Sequence, residues 1–360
     1  MRKRANLQHE DEDGLARISP DRMLLAISTA ILLAITALLW IGRGNMTDAE
    51  IYARAANLIG TGVTMYDPIP EPGPNPFATG YIYPPFYASL LHLFRDPIRA
   101  NLLGMTLGVA ALAWGLARAS GVSLGRCAAL VLLSIYPLIA MNFGSVTPLT
   151  YGLCAAAFVL PANVGAFLLG IAAGIKITPL WPLAVLLIRD RAWKGTLAAV
   201  AVGIGVCVVA LGIDGLVAET NTFMRFVFPM LAQGQFEINE LTVGSVAGGP
   251  LLFWASARNI SPAFAPLYWL VEDRSGALPV WAATYLSIVT TAIPLIVVWF
   301  TRKMPSREQA AYVLAAAMIF APTFRALYLP FLFPAVAFWW RNRRVSVSDS
   351  FRPAASTAGK

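Results

Sequence analysis

The sequence predicts an all-α, polytopic membrane protein of about ten to twelve transmembrane helices. Three observations predict it. Apolar runs of about 18 or more residues recur along the 360-residue chain. Charged residues make up only 13% of it and hydrophobic residues 58%, with a mean hydropathy of +0.64, whereas a soluble domain carries about 25% charge. Nineteen of the 27 basic residues also fall on one side once the helices are threaded, the side that holds the N-terminus.

The first 22 residues, with Arg2, Lys3, Arg4, Arg17 and Arg22, read as a cytoplasmic leader. They are too long and too acidic for a signal-peptide head, and no small-residue cleavage site follows the first apolar run. Residues 23–340 form a single integral-membrane domain. Its spans are 23–41, 83–94, 101–117, 126–141, 148–160, 166–188, 196–213, 279–300, 310–322 and 327–340, and two short pieces, 246–257 and 262–271, are spans or a re-entrant pair. Residues 341–360 form a cytoplasmic tail. The positive-inside bias places both termini in the cytoplasm and leaves two long outer segments, 42–82 and 214–244. Arg95, Arg99 and Arg189 fall inside in this threading. Arg118 and Arg126 fall outside, against the bias, where Arg126 marks an anion site or a local slip of the threading.

Composition also narrows the chemistry. The net charge of +8 speaks to membrane orientation, and no nucleic-acid-binding pattern accompanies it. Cys127, Cys154 and Cys207 sit in apolar segments without CxxC spacing, which argues for packing roles and against a metal site. The two histidines, His9 and His92, lie far apart, so acid–base work falls to carboxylates, Lys or Tyr.

The first outer segment opens with TDAE, a capping-box pattern with Thr47 as N-cap and Glu50 at N3. A surface helix over 48–59 follows, with Ile51, Ala55 and Leu58 on one face and Arg54 and Asn57 opposite. Asp48 in its first turn serves the helix dipole equally well as it would serve chemistry. Asp48 and Glu50 are also hard oxygen donors. They permit a divalent metal without defining a site, so no cofactor is assigned. The Pro-rich stretch after the helix carries Tyr66, Tyr81 and Tyr83, which suit an interfacial belt or a platform for a sugar or isoprenoid. Lys176 interrupts an apolar helix, where a charge costs at least about 2.5 kcal/mol and faces a cavity or partner unless it snorkels. The second outer segment carries Glu219, Arg225, Glu237, Asn239 and Glu240, a solvated loop or a binding surface. Arg325 sits at an outer mouth, suited to lipid headgroups or to a phosphate.

Five stretches in order, DAEIYARAANLIGTGVTMY, YPPFYASLL, GSVTPLTYGL, LLGIAAGIKITPLWPLAVLLIRDRAW and VFPMLAQGQFEINELTVG, resemble glycosyltransferase family 87, a group of C-type membrane glycosyltransferases. The resemblance covers about residues 23–340 and includes polyprenol-phosphate-mannose-dependent mannosyltransferases. It implies a many-helix fold with an extracytoplasmic active site and inverting transfer from a polyprenyl-phosphate-linked sugar to a lipid or glycan acceptor. It implies that Asp48 is the general base and that Lys176 is the helix lysine of the pattern. Lys176, Arg325 and Arg126 would then bind the donor phosphate, and Glu50, Tyr52, Tyr66, Tyr83 and Asn239 the substrates. The chain departs from the family at three places. Gly144-Ser145-Val146-Thr147 stands where a GQ-x-N motif is usual. Asn239-Glu240-Leu241 stands for N-Q-S, and Leu327 occupies the position of a histidine. A membrane transporter or lipid flippase without transferase activity is the alternative, although no internal repeat supports it.

Overall fold

The structure, a computed structural model, describes residues 19–42, 46–67, 81–229, 262–263, 280–321 and 326–350. Among these residues every regular element is helical. Helix α1 (Pro20–Trp40) starts with Pro20 at its first position and with the Ser19 hydroxyl accepting from the Arg22 amide. It is apolar along its length and mostly uncovered by protein, as a lipid-facing span should be. Helix α2 (Thr47–Leu58) is short and amphipathic, and α3 (Pro85–His92) has only eight residues. Helix α4 (Pro97–Ser120) is the central span, with over half of its most apolar stretch buried.

After α4 come α5 (Leu124–Leu133) and α6 (Tyr136–Asn142), which meet at a 61° bend where Ile135 takes a left-handed backbone. Then follow α7 (Thr147–Ala157), α8 (Ala162–Ile175), α9 (Leu180–Asp190) and the long α10 (Trp193–Thr222), which runs on into a π-helical turn, Phe223–Val227. The last elements are α11 (Val280–Phe300), α12 (Ser306–Ile319), a 3₁₀ segment Ala326–Leu332 and α13 (Phe333–Ser350).

Small residues close the centre of this bundle. A Cβ on Gly152 of α7 would stand 2.1 Å from the Gly108 carbonyl oxygen of α4, and one on Gly108 would stand 2.2 Å from the Pro148 carbonyl oxygen. With lipid outside, apolar burial does little to hold two helices together. Close backbone approach through glycine supplies dispersion contact instead.

The helix ends sort onto two faces. The Arg99 guanidinium, at the start of α4, lies 5.0 Å over the Trp40 ring at the end of α1. Arg126, at the start of α5, pairs with Asp21 at the start of α1 at 2.9 Å. So α1 and α4 are antiparallel, and Arg126 shares the face on which α1 begins. This amino-terminal face also holds Arg344 near the end of α13, which lines one cavity with Asp21 and Arg126.

Three expectations are corrected by these facts. Residues 83–94 do not form a span, because α3 reaches only about 12 Å at 1.5 Å per residue. Removing that span reverses the side of everything up to the next correction, so Arg95 and Arg99 join the face opposite the N-terminus, and Arg118 and Arg126 join the amino-terminal face. The run 166–188 is two helices, α8 and α9, broken at Lys176, which is extended (φ −135°, ψ 134°) and followed by Pro179. Gly212 (φ 72°, ψ 174°) kinks α10 beside the expected end of its span at 213, and residues 214–227 beyond the kink are a helix with a π turn and not a loop. As the sequence predicts, the chain is an all-helical polytopic membrane protein: among the described residues four helices are long and apolar enough to cross a membrane, or five if the bent α5–α6 pair is one span. The other helices are shorter than the sequence predicts because breaks at 134–135, 158–161 and 176–179 divide them.

Candidate active site

The face opposite the amino-terminal one gathers the end of α1, the start of α4, the turn between α6 and α7, and the end of α8. Gly144, with φ +71°, lets the chain reverse after α6. It also lies so close to α2 that a Cβ there would come 2.6 Å from the Ala49 Cβ. Asn101 of α4 donates to the Gly144 carbonyl at 2.8 Å and is itself hydrogen-bonded to the Tyr87 hydroxyl of α3. Both polar side chains are buried, so each satisfies a group that would otherwise be costly to hide.

Two charged residues bond to this 143–147 turn. The Asp48 amide of α2 donates to the Phe143 carbonyl at 2.9 Å. The Lys176 ammonium donates to Thr147 Oγ1 at 2.8 Å, and Thr147 Oγ1 lies 2.9 Å from Ser145 Oγ. The Lys176 ammonium also stands 4.5 Å from the centre of the Tyr328 ring and 5.6 Å from that of Tyr83. Aromatic faces attract a cation through their quadrupole, most strongly where water is scarce. Lys176, Tyr83 and Tyr328 line one cavity of about 620 Å³, together with Trp181, Phe228, Thr290 and Met318.

Helix α2 is placed differently from the sequence expectation. Met46 is its N-cap and no side chain caps it, so the Thr47–Glu50 capping box does not form. The Glu50 amide bonds to the Met46 carbonyl. The buried residues are Ala49, Tyr52, Ala53, Ala55 and Ala56, so Ala55 is on the inward side as expected, and this face packs against protein. Arg54 and Asn57 remain exposed, as expected. His92 Nδ1 contacts the Ala56 carbonyl at 2.8 Å and ties α3 to this helix.

Tyr52 connects α2 to the cavity wall. Its hydroxyl donates to the Tyr83 hydroxyl at 3.1 Å and accepts weakly from the Val146 amide at 3.4 Å. Burial pushes the Tyr52 phenol well above its ordinary 10, and Tyr83 and the nearby Asp48 carboxylate push it further. Tyr52 is therefore a fixed proton donor at neutral pH and does not serve as a base. Tyr81 packs edge-on against Tyr52 and accepts from the Ala88 amide at 3.0 Å, and burial raises it as well.

The structure thus brings Asp48, Tyr52, Tyr83 and Lys176 to one place. Tyr66 is fully buried behind them and donates to the Tyr83 carbonyl at 2.9 Å, so it supports the wall without reaching the cavity. Glu50 is exposed. It lies two residues from Asp48 on α2, a spacing that points two side chains to different sides, so the pair does not converge as metal ligands. No group of three His, Cys, Asp or Glu side chains suited to a metal occurs among the described residues. Arg126 is on the other face, paired with Asp21, because α3 does not span. Asn239 and Arg325 lie outside the described residues.

Sequence reasoning missed Thr147, Tyr328 and Trp181 as site residues. Leu327, which stands where the family pattern has a histidine, is buried at 7% exposure, and its neighbour Tyr328 faces the cavity. A capped pair of hydroxyls two residues apart, Ser145 and Thr147, was the readable signal for the turn. Glu219, read as part of a solvated loop, sits on α10 and accepts from the Thr64 hydroxyl at 2.7 Å and the Met65 amide at 3.2 Å. It fixes the chain that leaves α2.

No curated protein matches the chain. Residues 81–323 match glycosyltransferase family 87, a stretch that includes Tyr83, Thr147 and Lys176 and begins after Asp48. With its helical membrane architecture and more than half its length matched, the chain is a glycosyltransferase and belongs to glycosyltransferase family 87.

Proposed function

We propose that this glycosyltransferase takes its sugar, a mannose-like hexose, from a polyprenyl-phosphate-linked donor and transfers it with inversion to a lipid or glycan acceptor. We place the reaction at the outer face of the cytoplasmic membrane, with both termini on the inner side and Asp48 as general base. The observation that carries this reading is the shared turn: the Asp48 amide and the Lys176 ammonium both bond to it, at Phe143 and Thr147, and Lys176 lines the aromatic-walled cavity.

The chemistry fits that arrangement. A single displacement at the anomeric carbon forms no covalent intermediate, so it requires one base and one stabilised leaving group. The carboxylate of Asp48 takes the acceptor hydroxyl proton as the new glycosidic bond forms. The departing phosphate gains negative charge, which the Lys176 ammonium offsets. Thr147 and the rings of Tyr83 and Tyr328 hold the ammonium in place, so little reorganisation is needed during reaction. The rings also suit the apolar face of a sugar and the first isoprene units. A donor with a lipid tail explains why the site opens at the end of membrane helices.

The test is transfer from a polyprenyl-phosphate hexose by the purified full-length protein and by Asp48→Asn. Loss of a positioned base should reduce turnover about a hundred- to ten-thousand-fold, with donor binding retained. Unchanged turnover in correctly folded Asp48→Asn would remove Asp48 from the mechanism.

A further inference from the structure

A second cavity of about 620 Å³ lies on the amino-terminal face, the length of the bundle away from the site above. Its trough is built from the end of α4, the start of α5 and α13. Leu130 and Val336 line it and are themselves 63% and 57% exposed, so the trough opens sideways toward the surrounding hydrocarbon. One end of the trough is cationic. Arg126 stands there with its Nε on Asp21, and Arg344 stands with its guanidinium 4.9 Å over the Trp340 ring. The Ser123 hydroxyl, just before α5, lines the same cavity, buried and with no hydrogen-bond partner among the described residues.

Each part has a chemical counterpart in one molecule. An apolar trough open to lipid accepts an acyl chain. Two guanidiniums at the interface accept a phosphate, since one Nε pairing leaves further N–H donors on Arg126. The orphan Ser123 hydroxyl and the first amides of α5 add neutral donors at the same end. The Trp340 ring lies where amphipathic aromatics sit at the headgroup level of a bilayer. We infer that this groove binds an anionic phospholipid, with the headgroup phosphate between Arg126 and Arg344 and one acyl chain along the trough. The charge pattern carries the choice of occupant: positive at the headgroup end, apolar along the chain.

The experiment is native mass spectrometry of the full-length protein released from nanodiscs of mixed phosphatidylglycerol and phosphatidylcholine. Wild type should retain one phosphatidylglycerol, and Arg344→Gln should retain about tenfold less, the loss of one of two charge-assisted phosphate contacts. Arg126→Gln should do likewise but also loosens α1 through Asp21. Val336→Trp, which fills the trough without altering charge, is the independent variant and should also release the lipid. Transferase turnover of Arg344→Gln at saturating donor should equal wild type, because the residue lies on the face opposite the catalytic turn. Retention equal to wild type in both Arg344→Gln and Val336→Trp would overturn the site. Displacement by inorganic phosphate alone, or preference for a polyprenyl phosphate over phosphatidylglycerol, would overturn the assignment of its occupant.

Discussion

The Lys176 ammonium and the Thr147 hydroxyl are 2.8 Å apart, although 29 residues separate them in the chain. Lys176 can lie there only because α8 stops at Ile175 and the backbone turns extended. A lysine inside a continuous helix would stand at bilayer depth. At the end of α8 the ammonium meets a hydroxyl and two ring faces, which offset part of the penalty such a charge would pay.

Thr147→Val tests that contact. The side chains are nearly equal in volume, but the variant removes the hydroxyl that holds the ammonium. Turnover should fall about tenfold, the value of one charge-assisted hydrogen bond. Lys176→Ala should lose considerably more and should weaken donor binding. Steady-state kinetics with varied donor separate the two, because a positioning role lowers turnover more than it raises the donor KM.

Gly144→Ala should damage both stability and activity. The added Cβ must adopt a left-handed backbone, and it would meet Ala49 at 2.6 Å. Overpacking of this kind costs about 1–3 kcal/mol, with the left-handed backbone adding about 1 kcal/mol. A lowered midpoint in a detergent thermal-shift assay, with turnover reduced beyond the loss of folded protein, is the expected result. A fully active, equally stable variant would show that α2 does not need to approach the turn.

Gly152→Leu should fail at an earlier stage. Its side chain would meet the Gly108 carbonyl oxygen, a backbone atom that cannot move aside. Separation of α4 from α7 should cost about 3 kcal/mol or more and should appear as loss of monodisperse protein on size exclusion.

The tyrosine cluster predicts an alkaline limit. Burial raises Tyr52, Tyr66 and Tyr81 above their ordinary 10, so the folded state holds these protons more tightly than the unfolded state. The stability they contribute is fully present below pH about 10 and falls as the pH rises beyond it toward the folded values. Phenolate absorbance should therefore lag behind that of free tyrosine. It should then rise together with loss of helical circular dichroism, and Tyr52→Phe should shift that joint transition to higher pH.

Much of the fold is legible in hydropathy, because a membrane span must be apolar throughout. The ends of α1, α4 and α11 are read within a few residues. Breaks are not legible in the same way. Lys176, Ile177, Thr178 and Pro179 interrupt α8 and α9 for only four residues, too few to lower the mean of a long window. The β-branched pair before Pro179 was the local sign. The side of Arg126 depended on one decision, whether 83–94 crosses the membrane. PPFYASLLHLF is apolar enough, but two prolines at its start and a charged residue after it leave too short a helix. At the site, Asp48 and Lys176 are visible as charges out of place. Thr147 and Tyr328 look like ordinary packing residues until the turn and the 3₁₀ segment bring them beside Lys176.

The 143–147 turn gathers contacts from α2, from α4 and from the end of α8. Asp48 and Lys176 come into register only after the α2, α4 and α8 regions have all docked on the same five residues, and these regions are far apart in the chain. A nascent protein with any one of them undocked would lack the register between the two residues. On the proposed mechanism, folding errors in this membrane protein should therefore yield inert molecules, not ones with altered specificity.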